Sequence, residues 1–202
     1  MMHLDDFKPV RLSSAVQIGD FTCGNDESAE DLNDFLRNDA LASSDHLLTV
    51  TKLFMKDNSV AAFYSVLNDK VTHTDFKDDD VLMKKFMKKR NIPHEKRGYK
   101  SFPAVKLARL GVHQNYKRHK LGTQILDGIK ASFSSDSNKT GCRFITVDAY
   151  NNTDVLKFYQ KNGFAFLPVG EESKGQKTRV MYFDLKPYRD TICSMSVAAV
   201  TK

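Results

Sequence analysis

Apolar residues recur along this chain with two different periods, and the changes of period mark out its elements. Ala29, Leu32, Phe35 and Leu36 return at helical spacing within Ser28–Asn38, which predicts a one-faced helix. Asn25 or Asp26 ahead of it is a suitable N-cap. Leu47 to Met55 and Val60 to Leu67 are rich in β-branched and aromatic residues, with Asp57-Asn58-Ser59 between them. That pattern predicts a hairpin. Phe102 to Val112 reads as an apolar strand. Gly122 to Phe133 carries Ile125, Ile129 and Phe133 on one helical face. Ser132 to Gly141 is a polar connection, and Arg143 to Ala149 a short buried strand. Asn151 caps the next predicted helix, and Asn162-Gly163 ends it with residues suited to the left-handed conformation. Phe164 to Leu167 and Thr178 to Leu185 predict two more strands, joined by a Gly170 to Lys177 loop. Asp190 to Lys202 reads as a frayed tail. Strands interleaved with helices make the fold class α/β (α+β) with a mixed sheet.

The junction between the long strand and the helix after it carries the chemistry. His113-Gln114-Asn115-Tyr116-Lys117-Arg118-His119-Lys120 is polar and basic, and Leu121-Gly122-Thr123 opens the helix. The first N–H groups of a helix have no partner within it, and the helix dipole adds partial positive charge there. A pyrophosphate can therefore sit on those groups, with Lys117, Arg118, His119 and Lys120 adding side-chain charge. The same order of elements also describes an ordinary surface turn of an α/β protein.

Two segments together resemble the GNAT acetyltransferases. Leu107 to Leu126 is similar to motif A, whose loop reads Gln/Arg-x-x-Gly-x-Gly/Ala. Here it is Lys117-Arg118-His119-Lys120-Leu121-Gly122, with the last glycine kept and Lys120 in place of the middle one. Val147 to Asn152, then Val155 to Phe164, resembles motif B through its Phe158-Tyr159 and Gly163-Phe164. Phe21-Thr22-Cys23-Gly24, Leu32 to Arg37, Ala62 to Ser65, Leu107 to Val112, Val147-Asp148-Ala149 and Phe166-Leu167-Pro168 extend the similarity to the GNAT toxins of bacterial toxin–antitoxin modules. It covers most of residues 20–185. The resemblance implies a GNAT fold: a mixed, mostly antiparallel twisted sheet with helices on both faces, as a single domain over residues 1–189. It implies acetyl-CoA as cofactor and acetyl transfer to a primary amine, that of aminoacyl-tRNA in the toxins. An antitoxin is then a partner, and a homodimer is compatible with the resemblance. A non-catalytic acyl-CoA-binding or nucleic-acid-binding module on the same fold is the alternative.

On that resemblance Leu110, Gly111 and Val112 offer backbone groups to the pantetheine arm and the thioester oxygen. Lys117, Arg118, His119, Lys120, Leu121, Gly122 and Thr123 hold the pyrophosphate. Asn151 or Asn152 touches the cofactor, and Tyr159 protonates the leaving thiolate. A phenol is protonated at neutral pH and can donate in this way. Read from the residues alone, Tyr159 can equally be the buried face of its helix with Phe158 and Val155, and the asparagines plain caps. No general base stands out. His113 has a suitable intrinsic pKa, and Asp148 and Glu95 are weaker candidates.

Charge adds one feature. The 202 residues carry a formal net charge of +6, and the excess lies in one stretch. Lys84, Lys85, Lys88, Lys89, Arg90, Lys96, Arg97 and Lys100 are accompanied there by a single acid, Glu95. A localised basic stripe can bind phosphate backbones, with Lys88, Lys89 and Arg90 at its centre. Asp78-Asp79-Asp80 ahead of it also fits a surface helix complementing its own dipole, with Val81, Leu82, Phe86 and Met87 as the buried face. Cys23, Cys142 and Cys193 are odd in number and far apart, so neither a disulfide framework nor a metal site is expected, and the compartment is read as cytoplasmic. No segment reaches the ~20 apolar residues of a membrane helix. Hydrophobic residues at 41% suit a globular domain.

Overall fold

The computed structural model describes residues 2–92, 100–172 and 175–200. In chain order the elements are β1 (Lys8–Arg11), α1 (Glu27–Asp34), α2 (Ala40–Asp45), β2 (Val50–Lys56), β3 (Ser59–Thr72), α3 (Asp80–Lys89), β4 (Ser101–Val112), α4 (Leu121–Ser134), β5 (Phe144–Tyr150), α5 (Thr153–Lys161), β6 (Ala165–Phe166), α6 (Pro168–Glu172), β7 (Thr178–Asp184) and α7 (Leu185–Val200). The strands follow one another in the hydrogen-bonded order β1-β2-β3-β4-β5-β7-β6. The pairs β1–β2, β2–β3, β5–β7 and β6–β7 are antiparallel. The chain forms two compact units. One holds the chain up to Asn68 together with Lys106–Ile129; the other holds Asp69–Val105 and the chain from Lys130 onward.

In the first unit the predicted hairpin is present. Asp57 and Asn58 take φ of 48° and 62°, the left-handed pair that matches the twist of two strands. β2 starts later than expected. Leu47 N–H donates to Ser44 O (3.1 Å) and Leu48 N–H to Ser43 O (2.9 Å), closing α2 with Leu47 in the left-handed position usually given to glycine. Leu47 and Leu48 are therefore exposed turn residues. The predicted first helix is longer than its periodicity. Asp26 caps α1 through Ala29 N–H, and a π turn over Phe35–Asp39 carries the chain on into α2. β1 escapes sequence reading because four residues show no period. It pairs with β2 from Lys8↔Met55 to Arg11↔Lys52, at the edge of the sheet where Pro9 is tolerated. Phe21, Leu36, Leu53 and Phe63 fill the core.

In the second unit Phe76, Phe86, Phe102, Phe144 and Tyr182 make an aromatic core. α3 buries Met83, Phe86 and Met87. Val81, expected on that face, is exposed in the first turn, while Leu82 is partly buried. The cap of α5 is Asn152 rather than Asn151: its side chain accepts from Val155 N–H at 2.9 Å. Gly163 ends that helix with φ +83°, and a Cβ there would lie 3.0 Å from Phe183. α6 occupies the start of the expected Gly170–Lys177 loop. The expected tail is helical as far as Val200. Pro187 falls in the first turn of α7, where its missing N–H breaks no helical bond.

Candidate functional site

The strand–loop–helix junction belongs to the first unit. His113 N–H donates to Ala61 O (2.9 Å) and Gln114 N–H to Thr22 O (2.8 Å), anchoring the end of β4. A 3₁₀ turn over Gln114–Tyr116 follows. Beyond Lys117, whose N–H reaches Gln114 O at 3.3 Å, no N–H from Arg118 through Thr123 has an acceptor among the described residues. The first bond of α4 is Gln124 N–H to Lys120 O at 3.1 Å. Arg118 and Lys120 both have positive φ, 65° and 59°. Such reversals of handedness turn successive N–H groups into a concavity that receives anions. Lys120 stands where motif A has its middle glycine, and it holds the left-handed backbone that glycine takes without penalty. For an L-residue this costs about 1–2 kcal/mol.

The neighbouring packing explains further residues. Gly111 is buried, and a Cβ on it would come 2.4 Å from Phe63 Cε1 and 3.0 Å from Cys23 Sγ. Lys117 faces the Cys23–Asp26 turn, with its Nζ 3.7 Å from where a Cβ of Gly24 would lie; hydrogen bonds from Ser28 and Ala29 hold the Asp26 carboxyl below its ordinary pKa, and the Lys117 charge adds to them. Arg118, His119 and Lys120 are exposed. Asn33 fastens the turn: its Oδ1 accepts from Cys23 N–H (2.7 Å) and its Nδ2 donates to Gly24 O (3.0 Å). The sequence offered a signal for Asn33, a polar residue in line with Ala29, Leu36 and Ala40 on the apolar face. Burial pushes the Cys23 thiol up to about 11, which keeps it protonated and poorly nucleophilic. His113 Nδ1 accepts from Asn115 N–H (3.2 Å), so the neutral ring carries its proton on Nε2. Arg109 on β4 pairs with Asp31 on α1 at 3.1 Å and lies over Phe35.

Tyr159 belongs to the second unit. It is buried, with Phe158 and Phe164 edge-on at ring-centroid distances of 5.2 and 5.3 Å, while Phe158 itself is only half-buried. Burial alone pushes its phenol well above the ordinary range, with no charge or hydrogen bond offsetting it. Asn151 is tied to the strand side of the Gln176–Lys177 loop: its N–H donates to Lys177 O and its Nδ2 to Gln176 O, both at 2.9 Å. Asp148 is exposed on β5. Glu95, Lys96 and Arg97 lie outside the described residues.

The basic stripe divides in two. Lys84, Lys85, Lys88 and Lys89 are exposed on α3, and none is ion-paired among the described residues. Arg90 is not part of that surface. Its guanidinium stacks on Phe86 (3.7 Å) and Tyr182 (4.9 Å), donates to Phe86 O, and lies 3.9 Å from Asp184. It is a packing residue of the aromatic core, which corrects its assignment as a phosphate contact. Among the described residues no group of His, Cys, Asp or Glu could hold a metal ion, and no helix is long and apolar enough to cross a membrane.

Residues 87–165, which hold the junction and Tyr159, match the family model described as an acetyltransferase (GNAT) domain. The match covers under half of the chain, and over those residues the chain is similar to GNAT acetyltransferase domains. The solved structures it is similar to include AtaT complexed with acetyl-methionyl-tRNAfMet, at 19% identity and TM-score 0.70 over 92% of this chain and 99% of that one. AtaTR bound with acetyl-CoA matches at 20% identity and TM-score 0.69 over 93% and 98%. A tyrosine-to-phenylalanine mutant of the AtaT toxin bound to the C-terminus of the antitoxin AtaR matches at 19% and 0.66 over 93% and 98%. At these identities the likeness is one of fold. No curated protein matches the chain in sequence.

Proposed function

We propose that this protein is an acetyl-CoA-dependent N-acetyltransferase acting on a primary amine, with the α-amine of an aminoacyl-tRNA as acceptor. The observation that carries the reading is the run of unpartnered N–H groups from Arg118 to Thr123 at the start of α4. A helix N-terminus with free N–H groups can receive a pyrophosphate, whose oxygens would accept from them. Arg118, His119 and Lys120 add charge around it. The backbone of Leu110, Gly111 and Val112 is assigned to the pantetheine arm, where an N–H aimed at the developing oxyanion is a large catalytic term. Tyr159 gives its proton to the coenzyme A thiolate. The tRNA acceptor is supported by the unpaired lysines of α3 and by likeness in fold to AtaT. The same likeness supports a toxin role in the cytoplasm, with an antitoxin as partner.

Calorimetry with acetyl-CoA, followed by thiol release in the presence of methionyl-tRNA and small amines, tests the reading. Saturable binding and amine-dependent thiol release are expected. Binding without turnover on any amine leaves a non-catalytic acyl-CoA module, and no binding at millimolar acetyl-CoA contradicts the reading outright.

A further inference from the structure

We infer that Gln124 is a positioning residue of the cofactor site. Through it, residues 2–7 hold the loop 117–123 in the shape that receives phosphates, so that acetyl-CoA affinity depends on the docking of the N-terminal segment. The inference rests on the acetyl-CoA reading above and adds to it what preorganises the loop.

Gln124 closes the loop with its backbone and grips the N-terminal segment with its side chain. Its N–H makes the first bond of α4, to Lys120 O at 3.1 Å. Both ends of its side-chain amide are taken up by backbone groups far away in sequence. Oε1 accepts Leu4 N–H at 2.7 Å, and Nε2 donates to Met2 O at 3.1 Å. One turn further along α4, the Leu4 side chain lies 3.8 Å from where a Cβ of Gly128 would stand. The segment has its own internal bonds: His3 N–H donates to Asp6 Oδ2 (2.8 Å) and Phe7 N–H to Leu4 O (3.1 Å). On the other flank of the loop, the buried Phe7 meets Tyr116 edge-on, with ring centroids 5.6 Å apart. Lys56 Nζ stands 5.5 Å from the centroid of the same Phe7 ring. Residues 2–7 therefore hold Tyr116 and Gln124, the positions on either side of 117–123. All of these residues belong to the first unit.

The loop between them has little to fix it from within. Its N–H groups from Arg118 to Thr123 have no acceptor among the described residues. Arg118 and Lys120 are left-handed, a conformation that L-residues disfavour. A free loop of this kind samples other shapes, and a ligand that binds it must then supply the cost of ordering. Clamping both flanks removes part of that cost before the ligand arrives. An amide bonded at both ends is directional, so it also sets the register of residues 2–7 on α4. The coupling is reciprocal: whatever docking of the segment adds to acetyl-CoA affinity, bound acetyl-CoA adds to docking.

Two measurements on the full chain test this. In the wild-type protein, hydrogen exchange of the Leu4 amide should slow when acetyl-CoA saturates the loop, because that N–H is bonded to Gln124. Gln124→Met removes both side-chain hydrogen bonds and keeps a residue of similar helix propensity. Two neutral hydrogen bonds set the expected loss of acetyl-CoA affinity in this variant at about tenfold. The KM for acetyl-CoA should rise with it, while kcat and the KM for the amine stay near wild-type values, and the response of Leu4 exchange to acetyl-CoA should vanish. A residue that only stabilises the fold would lower the melting temperature without this split. Should Gln124→Met not fold, the wild-type exchange measurement decides. Leu4 exchange indifferent to saturating acetyl-CoA, or unchanged acetyl-CoA affinity in Gln124→Met, overturns the inference and leaves the cofactor reading intact. A wild-type protein that binds no acetyl-CoA overturns both.

Discussion

Tyr159 and Gly111 are each fixed by packing, yet only one of them has chemistry to lose. A phenol holds its proton at neutral pH, the state a general acid needs, and burial pushes the pKa of Tyr159 higher still. Tyr159→Phe keeps the ring between Phe158 and Phe164. Acetyl-CoA affinity and melting temperature should stay the same while kcat falls by ~10²–10⁴, read by thiol release. A wild-type kcat would reduce Tyr159 to a core residue. Gly111→Ala acts the other way. The new methyl group meets the Phe63 ring at 2.4 Å, so the fold should lose about 1–3 kcal/mol, measured by urea denaturation. An unchanged midpoint would mean that Phe63 moves aside freely.

Among the elements, those with a clear period were legible in the sequence. The hairpin, β4, α4, β5 and α5 all appear where their apolar spacing puts them. What was missed lacked a period or hid behind a proline: β1 has four residues, and α7 begins around Pro187. The polar, basic character of the loop before α4 was legible, but its left-handed Arg118 and Lys120 were not, since neither residue type signals that conformation. Arg90 was misread for a physical reason: a cation in a basic run looks like surface until its guanidinium is found on Phe86. For α3 the remaining lysines make a direct test. If they meet tRNA phosphates, binding should weaken with salt by a log–log slope of about −0.7 to −0.9 per contact. Replacing Lys84, Lys85, Lys88 and Lys89 by glutamine should flatten that slope and leave acetyl-CoA affinity alone. An unchanged slope would make α3 a solvated helix and nothing more.

At the scale of the whole molecule, the buried thiols set an alkaline limit. Cys23 and Cys142 are both pushed up by burial from 9.0 to about 11. Between those values the unfolded chain gives up the two protons and the folded chain keeps them, so stability falls as pH rises from about 9 to 11. It is unaffected by them below that window. Urea midpoints at pH 8, 9, 10 and 11 should show the decline, and Cys23→Ala with Cys142→Ala should flatten it. The central claim concerns where the cofactor's phosphates sit, and amide NMR of the labelled protein titrated with acetyl-CoA reads it most directly. The amide protons of Arg118 through Thr123 should shift together along one saturable curve and gain protection from exchange. Saturable acetyl-CoA binding that leaves those six amides unmoved would contradict it.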